Sequence, residues 1–134
     1  MALIVLDTDA ASLLQKGRLP AALAPHLSGV TLAVSFVTVG ELYKWAERRS
    51  WGARTRDKLE AWLHTVVIIP ADRDVTRTWG AIAARADERG RPRPANDSWI
   101  AACCIAKGLP LLTLNLRDFE DFEASDGLQL LRGV

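Results

Sequence analysis

The sequence predicts an α/β protein with a central parallel sheet of four to five strands between two helical layers. Three observations lead there. Residues 2–6 form an unbroken apolar run that stops at Asp7, the pattern of a strand buried on both faces. Further short apolar runs alternate with segments of helical periodicity, which is how parallel sheets are assembled. The 134 residues contain no repeat, low-complexity stretch or linker. Residues 1–134 are therefore read as one domain, long enough to bury a core without covalent staples.

The elements follow in order. Residues 10–16 read as a short helix, capped by Thr8 or Asp9 and ended by Gly17. Pro20 and Pro25 limit 19–27 to two short turns. Residues 30–35 form the second strand. Phe36, Val39, Leu42, Tyr43 and Ala46 then recur on one face of a helix over 36–49. After Gly52 a third helix runs to about His64, marked by Leu59, Trp62 and Leu63. Residues 66–69 are a β-branched strand stopped by Pro70. Asp72 or Asp74 caps a helix over 75–89 with Val75, Trp79, Ile82 and Ala86 as its buried stripe. The prolines of 90–94 impose a rigid loop. Asn96-Asp97-Ser98 opens a helix over 99–107 that is apolar nearly all round and therefore buried. Residues 111–114 are the fourth strand. A turn with Asn115, Arg117, Asp118 and Phe119 follows, then a polar loop, then a candidate edge strand over 128–131.

Composition excludes several classes. Apolar residues make up 49% and charged residues 25%, and the net charge is +1. There is no global polycation, so a nucleic-acid partner must be met by local patches. Cys103 and Cys104 are adjacent; they form no disulfide framework and suggest a reducing compartment. No run approaches the ~20 apolar residues of a membrane span. The N-terminal run lacks a basic lead and ends in acid, so it reads as a strand and not a signal peptide. The expectation is a cytoplasmic, soluble protein with no membrane partner.

In such a sheet the functional edge lies where strands end and helices begin. Asp7 closes the first strand, Glu41 lies early in the helix after the second, Asp97 opens the buried helix, and Asp118 lies just past the fourth strand. Four carboxylates from distant segments then face one crevice. Like charges at short range oppose one another, so a cluster held ionised calls for a cation. The all-oxygen donor set suits one or two Mg²⁺ or Mn²⁺ ions; His26 and His64 are isolated and offer no zinc spacing. Ions held this way activate water and stabilise charge on a phosphoryl group.

Each acid also has a local alternative. Asp7 fits a helix cap, Thr38-Val-Gly-Glu41 fits a capping box, and Asp9 reads as a cap first and a ligand second. Asn96 or Asp97 fits a cap of the buried helix. With Asn96 as the cap, Asp97 is free to ligate and the helix dipole favours its ionised form. Around the acids, Arg89, Arg91 and Arg93 flank the loop into Asp97, and Arg48, Arg49, Arg54, Arg56 and Lys58 follow the Glu41 helix. Either group suits phosphate groups; the alternative is a solvated surface.

Four segments carry a resemblance to a known family: Leu-Asp7-Thr; Val-Ser-Phe-Val-Thr-Val-Gly-Glu41-Leu; Arg-Pro-Ala-Asn96-Asp97-Ser-Trp-Ile-Ala-Ala; and Leu-Leu-Thr113-Leu-Asn115-Leu-Arg-Asp118-Phe. In this order and spacing the chain resembles the PIN-domain ribonucleases, specifically the small toxins of VapC-type toxin–antitoxin pairs, over essentially its whole length. The resemblance implies a PIN-like three-layer fold. It implies Asp7, Glu41 and Asp97 as metal-binding catalytic acids and Asp118 as the fourth, with Asn115 at the alternative fourth position. Thr8 and Thr113 become hydroxyls that support ligands or touch substrate. Asn96, Asn115, Arg91 and Arg93 complete the candidate substrate contacts. The implied reaction is in-line attack of activated water on an RNA phosphodiester, leaving a 5′-phosphate and a 3′-hydroxyl. The implied partners are RNA, a second copy of the chain and a cognate antitoxin whose basic side chain blocks the crevice. The apolar positions Phe36, Tyr43, Trp45 and Trp62 suit that antitoxin or, for most of them, the core.

Two rival readings compete. Asp7-Thr-Asp9 after an apolar strand resembles the opening of haloacid-dehalogenase-type phosphatases, but Leu-Thr-Leu-Asn-Leu-Arg-Asp-Phe fits the closing acidic pair of that family poorly. A catalytically silent RNA- or partner-binding module is the other; it leaves three mutually repelling acids without a purpose.

Overall fold

The computed structural model describes residues 2–132. The chain runs β1 (Leu3–Leu6), α1 (Thr8–Gln15), a 3-10 segment (Ala21–Leu27), β2 (Thr31–Ser35), α2 (Phe36–Arg48), α3 (Ala53–Leu63), β3 (Val67–Ile69), α4 (Arg73–Glu88), α5 (Ala95–Lys107), β4 (Leu111–Leu112), α6 (Leu116–Asp126) and β5 (Leu130–Leu131). All strand pairs are parallel, and the sheet order is β3-β2-β1-β4-β5. The apolar run at the N-terminus is thus the middle strand, as its two-faced hydrophobicity requires.

Alternation along the strands feeds two separate cores. Val5, Ala33 and Leu111 point to one face, where they meet Val75 and Ile82 of α4, Ile100 to Cys104 of α5, and Phe119 and Phe122 of α6. Ile4, Leu6, Val34 and Leu112 point to the other face, against Ala10 and Ala11 of α1 and Leu23 of the 3-10 segment. A smaller cluster of Leu42, Leu59 and Leu63 joins α2 to α3. Helix α5 is buried from Ile100 through Cys104, in keeping with its apolar circumference. Burial pushes the Cys103 thiol up to about 12 and the Cys104 thiol well above its usual value. Both thiols stay protonated and serve as small apolar fillers.

The fold departs from the sequence reading at its C-terminal end. Where a turn and a polar loop were expected, residues 116–126 form α6. Two aromatic side chains one turn apart, Phe119 and Phe122, are almost fully buried and outweigh the polar majority. Arg85 donates to Asp126 at 2.7 Å and Arg89 to Asp121 at 2.6 Å, tying α6 to α4. Gly127 closes the helix at φ 79°, a conformation that glycine adopts without strain.

The caps agree in part. Asp72, one of the two expected residues, caps α4, and α1 is capped by Asp7, the alternative reading of that residue, rather than by Thr8 or Asp9. Pro94 precedes α5 without a side-chain cap. Asn96 lies exposed inside the first turn and does not cap it, because the helix starts earlier than the apolar pattern suggests. Ser98 donates back to the Pro94 carbonyl at 3.0 Å.

Helix α6 therefore stands on its aromatic pair. Phe122→Ala is expected to destabilise the protein by about 3–5 kcal/mol, measured by urea unfolding. A loss below about 1 kcal/mol would mean that α6 is docked by its ion pairs instead.

Candidate active site

Strands β1, β2 and β4 end level with one another, since Leu6 pairs with both Val34 and Leu112. The next residue on each strand is polar and buried: Asp7, Ser35 and Thr113. Of this row Asp7 opens into a crevice of about 100 Å³, lined by Asp7, Thr8, Asp9, Glu41, Asp97, Asn115 and Asp118, with Trp45, Ile100 and Phe119 as apolar walls. The four acids singled out in the sequence thus come together from β1, α2, α5 and α6.

Each acid is placed by identifiable bonds. The Ala10 amide donates to Asp7 Oδ1 at 2.9 Å, and the Thr113 hydroxyl donates to Asp7 Oδ2 at 2.5 Å. Asp7 therefore caps α1 and also lines the crevice; the two readings of this residue do not compete, because each carboxylate oxygen retains acceptor capacity. The Asn115 amide N–H donates to the Thr113 hydroxyl at 2.9 Å, linking the end of β4 to the start of α6.

Glu41 does not belong to a capping box. Ser35 caps α2, its hydroxyl accepting from the Thr38 amide at 3.2 Å, and Glu41 lies in the second turn. The Thr8 hydroxyl donates to Glu41 Oε1 at 2.6 Å. A hydroxyl has one proton, so the 3.0 Å contact between Thr8 and Thr38 is donated by Thr38. Ser35 in turn donates to Thr38 at 3.5 Å. A directed hydroxyl chain thus runs from Ser35 through Thr38 and Thr8 to Glu41. Ser35 and Thr38 were missed in the sequence, where the Ser-Phe-Val-Thr spacing of an N-cap was the available signal.

Asp9 is a crevice residue rather than a cap. It is exposed in the first turn of α1 and accepts from Asn115 Nδ2 at 2.7 Å. Arg93 is half-buried, with its guanidinium donating to the Asp118 carbonyl at 3.2 Å. Asn96 and Arg91 are exposed and do not line the crevice.

The electrostatics are those of crowded acids. Burial raises the Asp7 carboxyl from 3.8 to about 6, against the lowering effect of the Thr113 and Ala10 bonds, with Asp9 and Asp97 pushing it further up. Burial also raises Asp97 to about 6, helped by Asp118 and Glu41 and partly offset by Arg93. Among the described residues no three acid, histidine or cysteine side chains form a ready-made metal cage. The lining nevertheless fits a hard divalent cation: its donors are carboxylate and amide oxygens, and two of the carboxylates are held in a state that positive charge would relieve.

The chain matches the PIN domain family over residues 4–124 and belongs to it. Ribonuclease VapC2 of Haemophilus influenzae is 34% identical over 89 residues, covering 66% of this chain and 67% of that protein. Among solved structures, VapBC-1 from nontypeable Haemophilus influenzae aligns with a TM-score of 0.81 at 26% identity, covering 96% of both chains. VapBC-5 of Mycobacterium tuberculosis, a member of the VapBC family of toxin–antitoxin systems, aligns with a TM-score of 0.70 at 26% identity over 98% of this chain and 99% of that one. The five-stranded parallel sheet with helices on both faces is the PIN-like fold. Among the described residues no helix is long and apolar enough to cross a membrane.

The crowding has a thermodynamic sign. Between 3.8 and about 6 the unfolded chain binds fewer protons at Asp7 and Asp97 than the folded one. These two groups therefore subtract stability as pH rises through that window. Asp97→Asn removes one of them. In metal-free buffer its melting temperature is expected to exceed that of the parent at pH 8, with the gap closing as pH falls towards 4. A gap that is constant across this range would show that Asp97 is not crowded by its neighbours.

Proposed function

We propose that this chain is a metal-dependent endoribonuclease that hydrolyses RNA phosphodiester bonds as the toxin of a toxin–antitoxin pair. The observation that carries the reading is the convergence of Asp7, Glu41, Asp97 and Asp118 on one crevice at the carboxyl edge of the sheet. Membership of the PIN family and the ribonuclease relatives support the same activity.

In this reading Asp7, Glu41, Asp97 and Asp118 hold one or two Mg²⁺ or Mn²⁺ ions. A bound ion would supply activation of water and neutralisation of charge on the phosphoryl oxygens. The remaining work belongs to the chain. Thr113 and the Ala10 amide fix the plane of the Asp7 carboxylate, and Thr8 turns Glu41 towards the crevice. Such supporting bonds set how well ligands are oriented. Arg93 anchors the first turn of α6 and so the position of Asp118. Asn115 is committed to Asp9 and contributes to the fourth position through that carboxylate, while Asp118 supplies its own. Asn96 and Arg91 are assigned to the rim, where they meet RNA outside the crevice. The partners are RNA, a second copy of the chain and an antitoxin, the last supported by the toxin–antitoxin complexes of the same fold. A soluble, cytoplasmic setting follows from that role.

The test is cleavage of a pool of structured RNAs with Mg²⁺, with Mn²⁺ and with EDTA. Cutting is expected with either metal and not with EDTA, leaving 5′-phosphate ends. Asp97→Asn is expected to lose roughly 100- to 1,000-fold in rate while keeping its fold by circular dichroism; a variant as active as the parent would overturn the site. Asp118→Ala is expected to lose more activity than Asn115→Ala, and equal full activity in both would remove the fourth position from the site.

A further inference from the structure

The crevice is acidic, and RNA is a polyanion, so the strand beyond the scissile phosphate needs cations that the crevice does not offer. Helix α2 provides them in line with Glu41. One turn beyond Glu41 stands Trp45, which lines the acidic crevice and also a second cavity of about 370 Å³ formed with Lys44, Arg48 and Arg49. The two cavities are therefore neighbours across a single indole. Arg48 and Arg49 lie about 10–12 Å along the helix axis from Glu41 at 1.5 Å per residue.

Two features set this patch apart from an ordinary solvated face. Among the described residues Lys44, Arg48 and Arg49 form no ion pair with a carboxylate, as is true of eight other cations, but these three meet in one cavity that shares a wall with the acidic crevice. Trp45 is also held rigidly, because it packs against the Leu42–Leu59–Leu63 cluster while its ring carries the Arg49 guanidinium at 5.3 Å from the centroid. An indole and a guanidinium plane beside unpaired cations are the parts used to bind unpaired nucleic acid: bases stack on the planes and phosphates meet the charges.

We infer that the Lys44–Trp45–Arg48–Arg49 face of α2 is an RNA track that receives single-stranded nucleotides flanking the phosphate in the acidic crevice. This rests on the nuclease reading above. At the junction of the two cavities a base stacks over the Trp45–Arg49 pair, and Lys44, Arg48 and the N–H edge of the Arg49 guanidinium hold phosphates. Contacts of this kind position a strand without reading its sequence, so the track sets affinity and register. An acidic protein segment is the competing occupant. The shared indole favours RNA, because it makes the track continuous with the place where a phosphodiester would react.

The test is binding of fluorescent unpaired RNA oligonucleotides of randomised sequence, followed by anisotropy across a salt series, with Asp97→Asn as the background so that the strand is not cut. Trp45→Ala is expected to weaken binding about tenfold, and Trp45→Phe to restore most of the loss. Arg48→Gln with Arg49→Gln is expected to lower the slope of log affinity against log salt by about 1.4, at ~0.7 per phosphate contact on a single strand. Arg18→Gln, on the loop after α1, is the charge control. The metal-loaded chain with Asp97 intact is assayed in parallel, and there the same α2 changes are expected to raise KM more than they lower kcat. Unchanged RNA affinity and salt slope in the α2 variants, with metal-dependent cleavage intact, would overturn the track and leave the nuclease standing. The same follows if the variants fail only to bind an acidic peptide. Absence of metal-dependent cleavage in the parent would instead remove the nuclease reading beneath it.

Discussion

Everything at the functional edge depends on one carboxylate that is held from two sides. Asp7 sits at the end of the middle strand, takes the Ala10 amide in the first turn of α1 on one oxygen and the Thr113 hydroxyl on the other. The first bond fixes the start of α1, which packs on the sheet through Ala10 and Ala11, and the second ties the end of β4 to the end of β1. Since β2 is in register with β1 on the other side, the start of α2 and hence Glu41 are indexed to the same point. The four acids are brought together by strand register and not by attraction for one another. Attraction could not have done it, because burial and mutual repulsion already lift Asp7 and Asp97 to about 6.

The sheet, its central strand and the four acids were legible in the sequence because they follow strong local rules. An apolar run with no polar face has one place in a parallel sheet, and acids at strand ends have one edge to occupy. What escaped was set by tertiary context. Helix α6 has few apolar residues, so its periodicity is faint, and it is formed by Phe119 and Phe122 reaching a core that residues 116–126 do not themselves reveal. Asn96 looked like a cap because it precedes an apolar run; the helix begins at Ala95 because the backbone after Pro94 already turns. Asp9 was read through its nearest neighbours as a cap, whereas its partner, Asn115, is more than a hundred residues away. The hydroxyl chain behind Glu41 joins three segments; only its Ser35–Thr38 cap has a local signature, and the link through Thr8 has none.

The division of charge along α2 answers a problem that a net charge of +1 leaves open. A chain without global polarity meets a polyanion through local asymmetry. Here the same helix presents an acid to the crevice and unpaired cations one and two turns later, with an indole between them. The acidic centre and the basic approach are thus parts of one rigid element, and their spacing does not vary with loop motion.

The position of β1 in the sheet has a consequence for synthesis. Its two hydrogen-bonding partners are β2, about thirty residues away, and β4, more than a hundred residues away. Asp7 and Glu41 leave the ribosome early, but the bond that fixes Asp7 comes from Thr113, and Asp97 and Asp118 also come late. At roughly 5–20 residues per second, the growing chain spends most of its translation with at most half of its acids and without the assembled crevice. The crevice is complete only once the last elements of the chain have emerged.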